Sequence, residues 1–123
     1  MLGRVYTDDQ GAVWGVVDQA VPGNTAFGTS ASLDLDHSTW LKMLERAELV
    51  ESRTDEEKPQ LIGWYHSHPN QLDVFMSGVD RTAQRTMFPE DWHFAIVVNP
   101  HRQIWRAFHG ADAIECIGVM TVD

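Results

Sequence analysis

The sequence predicts a mixed α/β fold, a mixed sheet flanked by helices, on three observations. Runs of strand length outnumber runs of helical period, and the two kinds alternate along the chain. The breaks between them are rich in Gly, Pro, Asn and Asp, the residues that turns require. A chain of 123 residues with 43% hydrophobic residues and five tryptophans is expected to be one domain over 1–123. Such a length buries roughly two thirds of the surface its unfolded form exposes, so no staple is needed.

Two strands are expected first, over 3–7 and 12–21. Asp8-Asp9-Gln10-Gly11 between them has tight-turn composition, which makes a hairpin. A helix is predicted over 37–51, capped by Asp36, because Trp40, Leu44 and Ala47 recur at helical spacing. The polar run 51–58 reads as a solvated loop closed by Pro59. A short strand over 60–66 then carries the chain to His66. Ser77-Gly78-Val79-Asp80 has the pattern of a capping box, so a helix is predicted over 78–87, ending before Pro89. Strands follow over 93–98, 103–108 and 113–122, separated by turns at 99–102 and 109–112.

Charge and composition exclude several classes of partner. The chain has 18 acidic against 9 basic residues, a formal charge of -9. That surface repels phosphate backbones and anionic lipid, so neither nucleic acid nor membrane is expected as a partner. The one cysteine, Cys116, cannot form an internal disulfide and is expected to be a buried small side chain. No stretch approaches ~18 apolar residues, and MLGRVYTDDQ lacks a signal-peptide pattern, so a cytoplasmic location is expected.

The stretch that carries chemistry is His66-Ser67-His68-Pro69 followed by Ser77-Gly78-Val79-Asp80. Residues two apart on extended chain point to one side, so His66 and His68 can reach a single ion. Pro69 removes a backbone donor and ends the strand, leaving the pair at an opening. Asp80, in the first turn of the next helix, supplies a third, oxygen donor. Two nitrogens and a carboxylate leave a tetrahedral ion one free position, as a catalytic zinc requires. Each part has a plainer reading. Histidines two apart are often incidental, and Ser77 with Asp80 is a common helix cap. Their combination in this order is far more demanding than either alone.

Gly63-Trp64-Tyr65-His66-Ser67-His68-Pro69 with Phe75-Met76-Ser77-Gly78-Val79-Asp80 resembles the core of the JAMM (MPN+) metallopeptidase family. The likeness extends in outline through Phe88-Pro89, the strand at 94–98, Asn99-Pro100 and the strand ending at Phe108. It implies the family's cytidine-deaminase-like fold, zinc on His66, His68 and Asp80, and Ser77 hydrogen-bonding the developing oxyanion. It further implies an isopeptidase or peptidase, deubiquitinase-like, cutting after the C-terminal tail of a ubiquitin-like or sulfur-carrier protein. The short loops suggest a prokaryotic-type member, and homo- or hetero-oligomers stay open. Trp64, Asn70 and Phe75 are expected to line the substrate cleft.

The chain departs from the family pattern in two places. The spacer from Pro69 to Met76 is one residue longer than is usual, and the extra residue is placed in the turn 70–73. The family's general-base glutamate belongs to a segment of which Met1-Leu2-Gly3 resembles the tail, so it is expected upstream of Met1. Without such a base turnover would fall by about 10²–10⁴-fold. Asp73 is the nearest acid in sequence and a candidate substitute. An N-terminally shortened enzyme and a catalytically silent MPN scaffold or binding module both remain open.

Overall fold

The hairpin expected at the start forms as β1 (Leu2–Thr7) and β2 (Val13–Gln19), paired antiparallel, in a computed structural model of the chain. The structure describes residues 1–20, 27–28, 33–34, 45 and 60–121. Asp8 makes the hairpin's turn: its Oδ1 accepts from the N–H groups of Gln10 at 2.8 Å and Ala12 at 2.9 Å. Gly11 follows at φ 81°, a value that glycine reaches without strain. The helix predicted over 37–51 lies, apart from Glu45, outside the described residues.

The chain divides into two compact units, residues 1–63 and 64–123. In the first, β1 is central, flanked by β2 and by β5 (Gln60–Leu61), and β3 (Phe27–Gly28) pairs with β4 (Leu33–Asp34). Leu2 and Ile62 are fully buried, and the Ile62 N–H donates to the Met1 carbonyl at 3.0 Å. The β1–β2 register shifts between Leu2 and Gly3. A Cβ on Gly3 would meet the Val16 carbonyl oxygen at 1.9 Å. Gly3→Ala should therefore destabilise the protein by about 1–3 kcal/mol in urea unfolding. An unchanged midpoint would contradict that packing.

The second unit is built on a four-stranded sheet of order β6 (Gly63–Ser67), β7 (Phe94–Asn99), β8 (Ile104–His109) and β9 (Ile114–Glu115). Helix α1 (Gly78–Met87) connects the neighbouring strands β6 and β7. Alternation along β7 buries Ala95, Val97 and Asn99, and Trp64, Val74, Met76, Phe88 and Phe108 complete the interior. The helix buries a polar pair, Asp80 and Gln84, one turn apart. Specific hydrogen bonds therefore seat it. Outside, Arg81 Nη1 donates to the Asp112 carbonyl at 2.9 Å, and Arg85 pairs with the Asp112 carboxylate at 2.8 Å.

The mixed α/β class is as predicted, with two local corrections. The single strand expected at 60–66 is split at Ile62 into β5 and β6, which belong to different sheets. The strand expected over 113–122 pairs only at Ile114–Glu115. One further bond, from the Cys116 N–H to the Ala107 carbonyl, extends it. Beyond it Ile117, Val119 and Met120 are exposed, so their apolar pattern is not matched by a sheet partner among the described residues. No helix among the described residues is long and apolar enough to cross a membrane.

Candidate metal centre

The donors come from two adjoining pieces of chain. His66 lies in β6 and His68 just past its end, where the His68 N–H donates to the Val98 carbonyl at 2.8 Å. That bond keeps the chain extended for one residue more, so both rings fall on the same side. Asp80 is the third residue of α1, whose N-cap is Ser77. A full capping box fixes both: the Ser77 N–H donates to Asp80 Oδ2 at 2.9 Å, and the Asp80 N–H donates to Ser77 Oγ at 3.2 Å. The sequence signal for starting a helix thus also aims the carboxylate.

His66, His68 and Asp80 form one group whose donor atoms all lie within 4.8 Å of one another, a group that could hold a metal ion. Their side chains are only 8%, 9% and 5% exposed. His66 Nε2 is 3.3 Å and His68 Nε2 3.9 Å from Asp80 Oδ2. Donors sharing a tetrahedral ion at about 2.0–2.1 Å stand about 3.4 Å apart, so the two distances to Asp80 are close to what such an ion needs. The His66–Asp80 approach is close, yet it is not aligned as a hydrogen bond. Both ring nitrogens of His66 remain buried with no hydrogen-bond partner among the described residues. A buried polar atom without a partner is costly, and a ligated cation would satisfy one of these two.

The electrostatics point the same way. Burial by itself pushes the Asp80 carboxyl up. The neighbouring His66 imidazole and the Ser77 N–H and hydroxyl outweigh that and hold it at about 2. Asp80 is therefore an anion at neutral pH, as an oxygen ligand must be.

The two histidines are held by different means. His68 Nδ1 is 2.6 Å from the Asp73 carbonyl oxygen, an atom that only accepts. The hydrogen of a neutral ring must then be on Nδ1, and that form has its lone pair on Nε2, the nitrogen facing Asp80. His66 instead stacks on Trp64, with centroids 4.8 Å apart and planes at 20°. Trp64 is fixed in turn by Nε1–H donation to Gln84 Oε1 at 2.6 Å. Gln84 Nε2 donates to the carbonyls of Phe88 and His93, so this buried amide is fully engaged.

Other residues singled out from the sequence are placed as follows. Trp64, expected on the cleft wall, is a buried support behind His66, only 3% exposed. Phe75 is 40% exposed and meets the His68 ring edge-on, with centroids 5.0 Å apart. Asn70 is exposed in a tight turn at φ 54°. Asp73 adjoins the group through its carbonyl, while its carboxylate accepts from the Val74 N–H and pairs with Arg102 at 3.6 Å. Ser77 Oγ accepts in the cap, which leaves its proton available to donate. Cys116 is half-buried, with its thiol pKa raised by burial and by Glu115, the opposite of an activated nucleophile.

Two supporting residues escaped the sequence reading. Asn99 is read there as a turn residue and Gln84 is not singled out at all, yet both are fully buried. The spacing of Asp80, Gln84 and Phe88, four residues apart, is the signal that could have found Gln84.

No family model matches the chain. A 49-residue stretch is 43% identical to the COP9 signalosome complex subunit 5 of Candida glabrata, covering 39% of this chain and 10% of that protein. A 77-residue stretch is 32% identical to the subunit of the same name in Caenorhabditis elegans, covering 61% of this chain and 20% of that protein. Both relatives are eukaryotic, so neither supports the expectation of a prokaryotic-type member. With the group formed by His66, His68 and Asp80, these partial matches support an MPN-family relationship.

Proposed function

We propose that the chain is one JAMM/MPN domain with a cytidine-deaminase-like fold, acting as a zinc-dependent isopeptidase or peptidase. Its substrate would be the bond after the C-terminal tail of a ubiquitin-like or sulfur-carrier protein, met in the cytoplasm. The observation that carries this reading is the convergence of two imidazoles and one carboxylate beside a hydroxyl able to donate.

His66, His68 and Asp80 would hold the ion, and their N, N, O donor set is that of catalytic zinc. Zinc so held supplies Lewis acidity and lowers the pKa of a coordinated water towards neutrality. Ser77 donates its hydroxyl proton to the substrate oxygen as that atom gains charge, a contact worth about 3 kcal/mol. Phe75 and Asn70 flank the approach and bear on the substrate tail. No nucleic acid or membrane takes part.

A second reading, a silent MPN module that binds a partner, is favoured by one observation. Among the described residues the donor group contains a single carboxylate, Asp80, which is spent as a ligand. No residue is assigned as the general base.

Metal analysis of purified protein should find about one zinc per chain, lost in His68→Ala. Cleavage of a ubiquitin-like fusion should stop on chelation and return with zinc. Equal cleavage with and without chelator would exclude the zinc mechanism, and zinc binding without cleavage would favour the silent module.

A further inference from the structure

We infer that Asn99 is a positioning residue for His68, fixing which ring nitrogen carries the proton and so which one faces the centre. The inference rests on reading His66, His68 and Asp80 as metal ligands. Asn99 ends β7, is fully buried, and sends its amide across to the loop that follows His68. Its Nδ2 donates to the Asn70 carbonyl at 3.0 Å and to the Leu72 carbonyl at 2.7 Å. Both amide hydrogens are thus spent on one turn. Its Oδ1 accepts from the Arg102 N–H at 3.0 Å, which anchors the amide to its own strand end.

The clamped turn is a tight one. The Leu72 N–H donates to the Pro69 carbonyl at 3.1 Å, and Asn70 is held at φ 54°. The next residue is Asp73, whose carbonyl accepts from His68 Nδ1. Fixing the carbonyls of Asn70 and Leu72 therefore fixes where the Asp73 carbonyl points. Arg106 adds a bond to the Val74 carbonyl at 3.2 Å, on the far side of the same acceptor. The acceptor is held from both directions along the chain.

The consequence is chemical as well as geometric. A neutral imidazole with Nδ1–H has its lone pair on Nε2, the atom nearest Asp80 Oδ2. With the carbonyl displaced, the proton can move to Nε2, and that nitrogen can no longer ligate. Asn99 reaches the centre through a main-chain acceptor and touches no donor atom itself. The isosteric Asn99→Asp separates its two jobs. A carboxylate still accepts from the Arg102 N–H but has nothing to donate to the loop.

The test uses the full chain with 15N-labelled histidine, metal-free, at a pH where the imidazoles are neutral. The His68 tautomer is read from its ring nitrogen shifts, and Co2+ affinity from visible absorption in a titration of the metal alone. The wild type should show the Nδ1–H form. Asn99→Asp should populate Nε2–H and bind Co2+ about 10–100-fold more weakly. If Asn99→Asp fails to fold, Asn99→Ser, which keeps one donor, should show an intermediate population. A wild type with the proton on Nε2 overturns the inference without any variant. So does a folded variant with unchanged tautomer and affinity. A wild type with the Nδ1–H form but no Co2+ binding overturns the metal reading instead, and the tautomer shift still decides the role of Asn99.

Discussion

Asp80→Asn is expected to weaken zinc binding sharply while leaving the fold standing, and Asp80→Ala to damage both. Asp80 has two attachments. Its Oδ2 accepts the Ser77 N–H, which closes the capping box, and the same oxygen approaches both His66 and His68. An asparagine oxygen can still accept from Ser77, so the helix start survives. The anionic donor is gone, and zinc affinity should fall at least about a hundredfold, the upper end of what losing a mere supporting contact costs. Alanine removes the cap partner too, for about 1 kcal/mol of stability. Zinc content and urea unfolding in chelator separate the two effects. Asp80→Asn purified with a full complement of zinc would remove Asp80 from the ligand set.

The same carboxyl has a signed pH dependence in metal-free protein. Its pKa is lowered from 3.8 to about 2 on folding, so the unfolded chain binds the proton more readily. Its stabilising contribution is complete above about pH 4 and is lost as the pH falls through about 2. The stability difference between wild type and Asp80→Asn should narrow over that interval.

The second large effect is expected at Trp64. Trp64→Ala should cost about 3–5 kcal/mol, the usual range for emptying a buried aromatic site. It removes the ring against which His66 stacks at 4.8 Å and which also faces Phe88 at 6.4 Å. It leaves Gln84 Oε1 buried without its donor as well. Trp64→Phe keeps an aromatic face behind His66 but loses the indole N–H and the volume of the second ring. Its cost should stay below that of alanine, with about 1–3 kcal/mol of it from the orphaned acceptor. The pair isolates what the aromatic face behind His66 contributes. In metal titrations alanine should weaken binding more than phenylalanine does. A loss below 1 kcal/mol for Trp64→Ala would contradict its buried placement.

What could be read in the sequence was whatever is encoded locally. The Asp8–Gly11 turn and the helix from Gly78 to Met87 each rest on residues close together in the chain, and the donor trio rests on two short motifs, at 66–69 and 77–80. Partner choice is a different kind of information. The run through Leu61, Ile62 and Trp64 is apolar and strand-like throughout, and nothing in it says that one half pairs with β1 and the other with β7. Residues 117–120 show the converse, an apolar pattern with no sheet partner among the described residues. Asn99 and Gln84 were opaque for a related reason. Their bonds reach Asn70, Leu72 and Trp64, across the sheet or from helix to strand, and an amide's partners are not written beside it.

The three donors fall between positions 66 and 80, and the residues that orient them extend to position 99. Bringing together the ends of so short a segment costs little chain entropy. The grip on a cation would nonetheless depend on β7, because Val98 holds the His68 backbone and Asn99 holds the turn beyond it.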